Sequence, residues 1–201
     1  MSQWDARYNS AEYVFGKEPN EFLKSQAAHI PAGGRVLCLG EGEGRNAVFL
    51  AKQGFSVVAV DVSKVGLNKT QRLASESGVT VETICADLSD FKIDTGAWDG
   101  VISIWCHLPS ELRKRVHTAS LRGLKVGGVF ILEAYRPEQM ALGTGGPKNP
   151  DMLYSLDDLK NDLQGMNLLL SKTPERDVQE GEGHSGNSAV VQIVARKEGE
   201  L

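Results

Sequence analysis

Between residues 33 and 135 the chain alternates short apolar runs with amphipathic stretches. RVLCL (35–39), FSVVAVD (55–61), VTVETIC (79–85), DGVISIW (99–105) and VFILEAY (129–135) have the length and β-branched content of strands. Helical patterns separate them: one from Gly44 to about Gln53, one capped by Ser63, and one with Leu112, Val116 and Ala119 on a single face and Ser110 as its expected N-cap. Strands that alternate with helices in this way predict a mostly parallel sheet covered on both faces, with ligands beyond the carboxyl ends of the strands.

The flanks read differently. An aromatic and polar leader precedes a helical stretch that Pro19 opens, with Phe22, Leu23, Ala27 and Ile30 at helical spacing, and Pro31-Ala32-Gly33-Gly34 stops it. After the core, residues 135 to 154 form a Gly/Pro/Asn-rich loop long enough to act as a lid or substrate wall. Ser155 then opens a short helix with a capping-box-like start, carrying Leu156, Leu159 and Leu163. Runs 167–172 and 188–195 follow with no helix between them, so they are expected to pair as an antiparallel hairpin at the sheet edge. The fold class expected is α/β: a three-layer, doubly wound, mostly parallel seven-stranded sheet of Rossmann-like type in a single domain, 1–201. The leader is 1–32, the cofactor-binding core 33–135 and the acceptor side 136–201.

Composition narrows the classes. The 201 residues are 41% hydrophobic and 24% charged, enough for one domain with a sizeable core. No apolar run approaches the roughly 20 residues a membrane helix needs, and no basic-then-apolar start marks a signal, so a cytoplasmic protein without membrane contact is expected. Cys38, Cys85 and Cys106 are odd in number and scattered, which fits reduced thiols. A formal charge of −4 argues against a nucleic-acid surface. Cys106 and His107 are adjacent but lack further ligands at useful spacing, so no metal is expected. A small-molecule substrate and a monomeric chain complete the expectation.

The chemistry centres on VLCLGEGEGRN, 36–46. Gly40, Gly42 and Gly44 follow a strand and open a helix, the usual place for a nucleotide. Gly42, Gly44 and Ala47 also satisfy the dinucleotide spacing G-x-G-x-x-A. Glu41 and Glu43 oppose a pyrophosphate: a carboxylate about 4 Å from a phosphate oxygen costs roughly 4 kcal/mol at an effective dielectric near 20. S-adenosylmethionine carries no phosphate and has an amine and a sulfonium, so the acids favour it. Asp61, ending the second strand, suits the ribose hydroxyls. Asp87, in CADLSDF, suits the adenine amino group.

These features resemble a family. The order VLCLGEGEG, AVD, CADL, WDGVISIW, LKVGGVFILE is similar to the class I S-adenosylmethionine-dependent methyltransferases over residues 33–135. WDARYNSAEYVFGKEPNEFL and GTGGPKNPDMLYS resemble the small tellurite-resistance and thiopurine methyltransferase group, which implies methyl transfer to a soft acceptor such as a thiol, selenite or tellurite. The resemblance places the cofactor on Gly40, Gly42, Gly44, Asp61 with Val62, Asp87 and Leu88, with Trp105 beside the methyl. The family's usual acid is Cys38 here, and Glu41 is expected to hold the amine in its stead. His107, in WCHLP after the fourth strand, is the candidate proton acceptor and Arg136, just past the fifth, the candidate anion binder, with Lys148, Arg176 and His184 as further acceptor-side candidates. Tyr8, Tyr13 and Phe15 form either a lid or a helix anchor. Two alternatives remain open: a nicotinamide-dependent oxidoreductase or redox sensor, and a non-catalytic S-adenosylmethionine-binding module. WCHLP is not the Asn/Asp-Pro-Pro-aromatic run of a base-flipping enzyme, which disfavours DNA or RNA methylation.

Overall fold

The first strand, β1 (Arg35–Leu39), is buried on both faces: Val36 and Cys38 join one apolar cluster, Leu37 and Leu39 the other. Its unbroken apolar run is what a central parallel strand requires. The computed structural model describes residues 2–181 and 184–199. Before β1 lie α1 (Gln3–Tyr8) and α2 (Glu21–Gln26), the latter continued by a 3-10 turn, Ala27–His29. The core then runs α3 (Arg45–Lys52), β2 (Ser56–Asp61), α4 (Lys64–Glu76), β3 (Glu82–Cys85), β4 (Trp98–Ile104), α5 (Ser110–Gly123) and β5 (Leu124–Tyr135). The tail adds α6 (Gln139–Leu142), a 3-10 turn Pro150–Met152, α7 (Leu156–Asp162), β6 (Asn167–Lys172), β7 (Glu175–Glu180) and β8 (His184–Arg196).

Strand order is β3-β2-β1-β4-β5-β8-β6, with β7 paired to β8. β1 to β5 are parallel and β8 runs antiparallel to β5, β6 and β7. The order reverses direction between β1 and β4, which puts a crevice at their carboxyl ends. α2, α3 and α4 cover one face through Leu23, Leu50 and Leu67, and α5 and α7 the other through Val116, Leu121 and Leu159. No helix among the described residues is long and apolar enough to cross a membrane.

The α/β layers stand as the pattern predicts, with four corrections. Among the described residues the sheet has eight strands rather than seven. The extra one, β7, reads ERDVQE and turns Arg176, Val178 and Glu180 inward, so an inner face carrying charges hid the period-two signal. The antiparallel pair is not a plain edge hairpin: β8 lies inside, between β5 and β6, and its first half pairs with β7. The stretch between the runs 167–172 and 188–195, expected only to connect them, holds β7 and the start of β8, while Glu182 and Gly183 lie outside the described residues. Ser110 is the first residue of α5 and Pro109 its N-cap, since Pro can occupy a position where no N–H is needed. Ser63 and Ser155 do cap α4 and α7, each accepting a backbone N–H three residues on.

Candidate functional site

The loop after β1 turns on three glycines with positive φ: 58° at Gly40, 64° at Gly42 and 94° at Gly44. At Gly42 a Cβ would lie 2.6 Å from the Tyr8 hydroxyl, so bare backbone lets α1 seat its aromatic side chain on the loop. Asp61 braces the turn from the end of β2. One carboxylate oxygen accepts from the Gly42 N–H at 2.8 Å and the other from the Ser63 N–H at 2.7 Å. Burial pushes its pKa upward, and its remaining lone pairs border a cleft of about 290 Å³. Gly40, Glu41, Val62, Asp87, Leu88, Trp105 and His107 line the same cleft. Gly42 and Gly44 shape its floor without lining it.

The two loop glutamates have different tasks. Glu41 Oε1 accepts from the Asn46 and Ala47 N–H groups at 3.0 and 2.8 Å, satisfying free donors at the start of α3. Glu43 pairs with Lys69 at 2.6 Å and accepts the Val14 N–H at 2.9 Å, tying the leader to α4. Glu43 therefore has its charge compensated, and Glu41 is the acid left facing the cleft with no ion-pair partner among the described residues, although the Arg45 charge acts on it.

Desolvation raises the Glu41 pKa from 4.5 to about 7. The folded state then holds a proton there that the unfolded chain releases above pH 4.5, so stability falls as pH rises from about 4.5 to about 7. Glu41→Gln keeps an acceptor for both N–H groups and has no proton to lose. Urea denaturation of both proteins from pH 5 to pH 8 should show the variant gaining on the wild type across that window, by on the order of 2 kcal/mol. A constant gap would refute the assignment.

Across the cleft stands Trp105, just past β4 and at φ 55°, a left-handed conformation unusual for a tryptophan. Two contacts hold it: its Nε1–H donates to Glu180 Oε2 at 2.7 Å, and its ring stacks on Tyr135 at 4.5 Å. His107 lines this wall, but both its ring nitrogens are engaged. Nδ1–H donates to the Met152 carbonyl at 2.7 Å, and Nε2 accepts from the Tyr135 N–H at 3.3 Å. Burial lowers its pKa to about 4. The expected proton-accepting role is at odds with this geometry; the imidazole pins the 135–154 segment to the end of β5.

The leader roofs the cleft. Trp4, Tyr8 and Phe15 line it, and Asp5 anchors α1 by accepting from the Ser63 hydroxyl at 2.7 Å. Phe15 packs on His184 at 4.6 Å between ring centroids. Tyr13 lies off the cleft, its hydroxyl donating to the Lys69 carbonyl. So Tyr8 and Phe15 take the covering role and Tyr13 an anchoring one.

Arg136 does not reach the cleft. Its guanidinium lies 2.9 Å from Glu138 and 3.7 Å from Glu175, because β5 turns it toward α6 and β7. Lys148 is exposed and also off the lining. Arg176 lies in a buried network with Glu133 and Glu180, which Asn20, Gln192 and Arg45 complete. Arg45 and Glu180 are the site residues that pattern reading missed. Arg45 had one available signal, its place directly after the glycine loop; Glu180 had none, because its strand was unread.

The family model described as a methyltransferase domain matches residues 36–128. The S-adenosyl-L-methionine-dependent Diels-Alderase iccD of Talaromyces variabilis is 28% identical over 131 residues, 63% of this chain and 44% of that protein. The 2-heptyl-1-hydroxyquinolin-4(1H)-one methyltransferase of Mycobacteroides abscessus is 27% identical over 117 residues, 57% of this chain and 52% of that protein. The chain thus spans about half the length of the curated relatives it matches. TehB from Haemophilus influenzae superposes with a TM-score of 0.72 at 17% identity, covering 96% of this chain and 65% of that one, which shows a shared fold.

Proposed function

We propose that the chain is a class I S-adenosylmethionine-dependent methyltransferase and that it methylates a small, soft acceptor such as a thiol, selenite or tellurite. The cleft fits the family's cofactor. Glycine at 42 leaves room for Tyr8 where a Cβ would intrude, Asp61 presents lone pairs at the end of β2, and Glu41 offers an acid to an amine. Gly40, Gly42 and Gly44 would carry the methionine part, Asp61 and Val62 the ribose, Asp87 and Leu88 the adenine, with Trp105 beside the methyl. Bound there, the cofactor would supply a methyl group on a positively charged sulfur, an electrophile for the acceptor's lone pair.

One observation carries the choice of acceptor: the saturated, neutral His107. Burial also pushes the Cys106 thiol up to about 12 and lowers His184 to about 3. With those groups unfit to take a proton at neutral pH, the wall suits an acceptor that is already nucleophilic. A thiolate or the lone pair on selenium or tellurium meets that condition, and alignment in a water-poor cleft supplies much of the remaining acceleration.

Calorimetric titration with S-adenosylhomocysteine and with NADH tests the reading, followed by methyl-transfer assays on selenite, tellurite and a thiol panel. Micromolar homocysteine-analogue binding without NADH binding is the expected result; the reverse would replace the reading with the oxidoreductase alternative. Binding without turnover of any acceptor would leave a cofactor-binding module. Asp61→Ala removes both the Gly42 brace and the ribose acceptor, and should weaken S-adenosylhomocysteine binding by about 10- to 100-fold.

A further inference from the structure

Arg45 opens α3 and is 6% exposed, yet its guanidinium is only partly satisfied. Nη2 donates to Glu180, while Nη1 is buried with no hydrogen-bond partner among the described residues, and the side chain borders the cleft. A buried charged donor left unpaired costs more than a neutral one, so a site that retains it is shaped for a ligand atom. Within the network two carboxylates, Glu133 and Glu180, face two guanidiniums, Arg45 and Arg176. Among the described residues, Glu41 borders the same cleft and feels the Arg45 charge, but no carboxylate hydrogen-bonds to Nη1.

His184 stands on the same side. Its ring lies 4.8 Å from Trp105 and 4.6 Å from Phe15, and its Nδ1 is also buried without a partner among the described residues. The Arg7 guanidinium sits 5.1 Å from the Phe15 centroid and 5.5 Å from that of Trp4, which puts a second cation at the roof. The Arg45 guanidinium and a neutral imidazole beside an aromatic wall form a recess for an anionic oxygen, with the exposed Arg7 outside the lining.

We propose that Arg45, with His184 beside it, anchors the methyl acceptor, and that the acceptor presents an oxyanionic group to them, either a carboxylate or an inorganic oxyanion. This rests on the methyltransferase reading and specifies its substrate class. It also moves the anion site from Arg136, at the end of β5, to the start of α3. An anionic acceptor complements the positive sulfur of the donor.

The test uses the full chain saturated with S-adenosylhomocysteine and titrates it calorimetrically with selenite, 3-mercaptopropionate and the neutral thiol 2-mercaptoethanol. The wild type should bind at least one of the two anions 10-fold or more tightly than the neutral thiol. Selenite alone would point to an inorganic oxyanion, mercaptopropionate alone to a thiol carboxylate. Arg45→Gln should abolish the preference while S-adenosylhomocysteine affinity stays within about two-fold. Should circular dichroism show that variant unfolded, His184→Leu carries the test, with a several-fold loss of the same preference. Equal binding of anions and neutral thiol by the wild type, or a preference that survives in folded Arg45→Gln or in His184→Leu, overturns the proposal. A wild type that binds S-adenosylhomocysteine without discriminating sinks this inference alone; one that binds no S-adenosylhomocysteine sinks the methyltransferase reading and this with it.

Discussion

Glu180→Ala is expected to destabilise the protein by about 3–5 kcal/mol, the cost of leaving a buried charge without its partner. Glu180 is 5% exposed and its two carboxylate oxygens take four donors: Arg45 and Trp105 on one, Asn20 and Arg176 on the other. Arg176 keeps Glu133, with contacts of 2.9 and 2.7 Å, but Arg45 keeps no carboxylate. The Trp105 indole loses its acceptor as well, and with it one of the contacts that hold its left-handed backbone. Urea denaturation should therefore show a lower midpoint with little change in slope. A double variant, Arg45→Met with Glu180→Ala, separates the causes. Removing both charges should recover part of the loss, giving an interaction term on the order of 2 kcal/mol in a double-mutant cycle. Additive losses would mean that Trp105 and Asn20, rather than the ion pair, dominate.

The same residues mark how far the sequence can be read. The parallel core was legible because its central strands are apolar on both faces and Ser63 announces α4. The glycine loop was legible because close approach leaves a compositional trace. β7 was not, since Arg176 and Glu180 point inward and only a fold with Glu133 and Arg45 behind them makes that tolerable. His107 and Arg136 were placed near the right strand ends, but nothing local reveals that the Met152 carbonyl will take one imidazole nitrogen or that Glu138 and Glu175 will turn the guanidinium aside. Partners 39 and 45 residues away in the chain, as for Glu175 and Met152, are a tertiary fact. The acids of the loop show the same limit: Glu41 and Glu43 looked alike in sequence, and Lys69 on α4 distinguishes them.

Gly44→Ala is expected to lower stability by about 2–5 kcal/mol, from two sources that a control can divide. The backbone there sits at φ 94°, where an L side chain is strained by roughly 1–2 kcal/mol. The added Cβ would also lie 2.7 Å from the Thr70 Cα, Cγ2 and Oγ1, and overpacking of that kind costs about 1–3 kcal/mol. Thr70 cannot swing away cheaply, because it is fully buried and its hydroxyl donates to the Gly42 carbonyl at 3.0 Å. α4 must shift as a unit, and it carries both Lys69, the partner of Glu43, and Ser63, the partner of Asp5. The expected consequence is a loosened roof along with a less stable fold: S-adenosylhomocysteine affinity should fall at temperatures where the variant is still folded. Gly54→Ala is the control. Gly54 has φ 89° and no neighbour within 4 Å of a built Cβ, so it bears the backbone strain without the clash. Urea denaturation of the two variants side by side should show Gly44→Ala the more destabilised, with cofactor-analogue binding retained in Gly54→Ala. Equal losses would show that α4 yields without resistance, and that the loop's hold on the helix is not what keeps the roof in place.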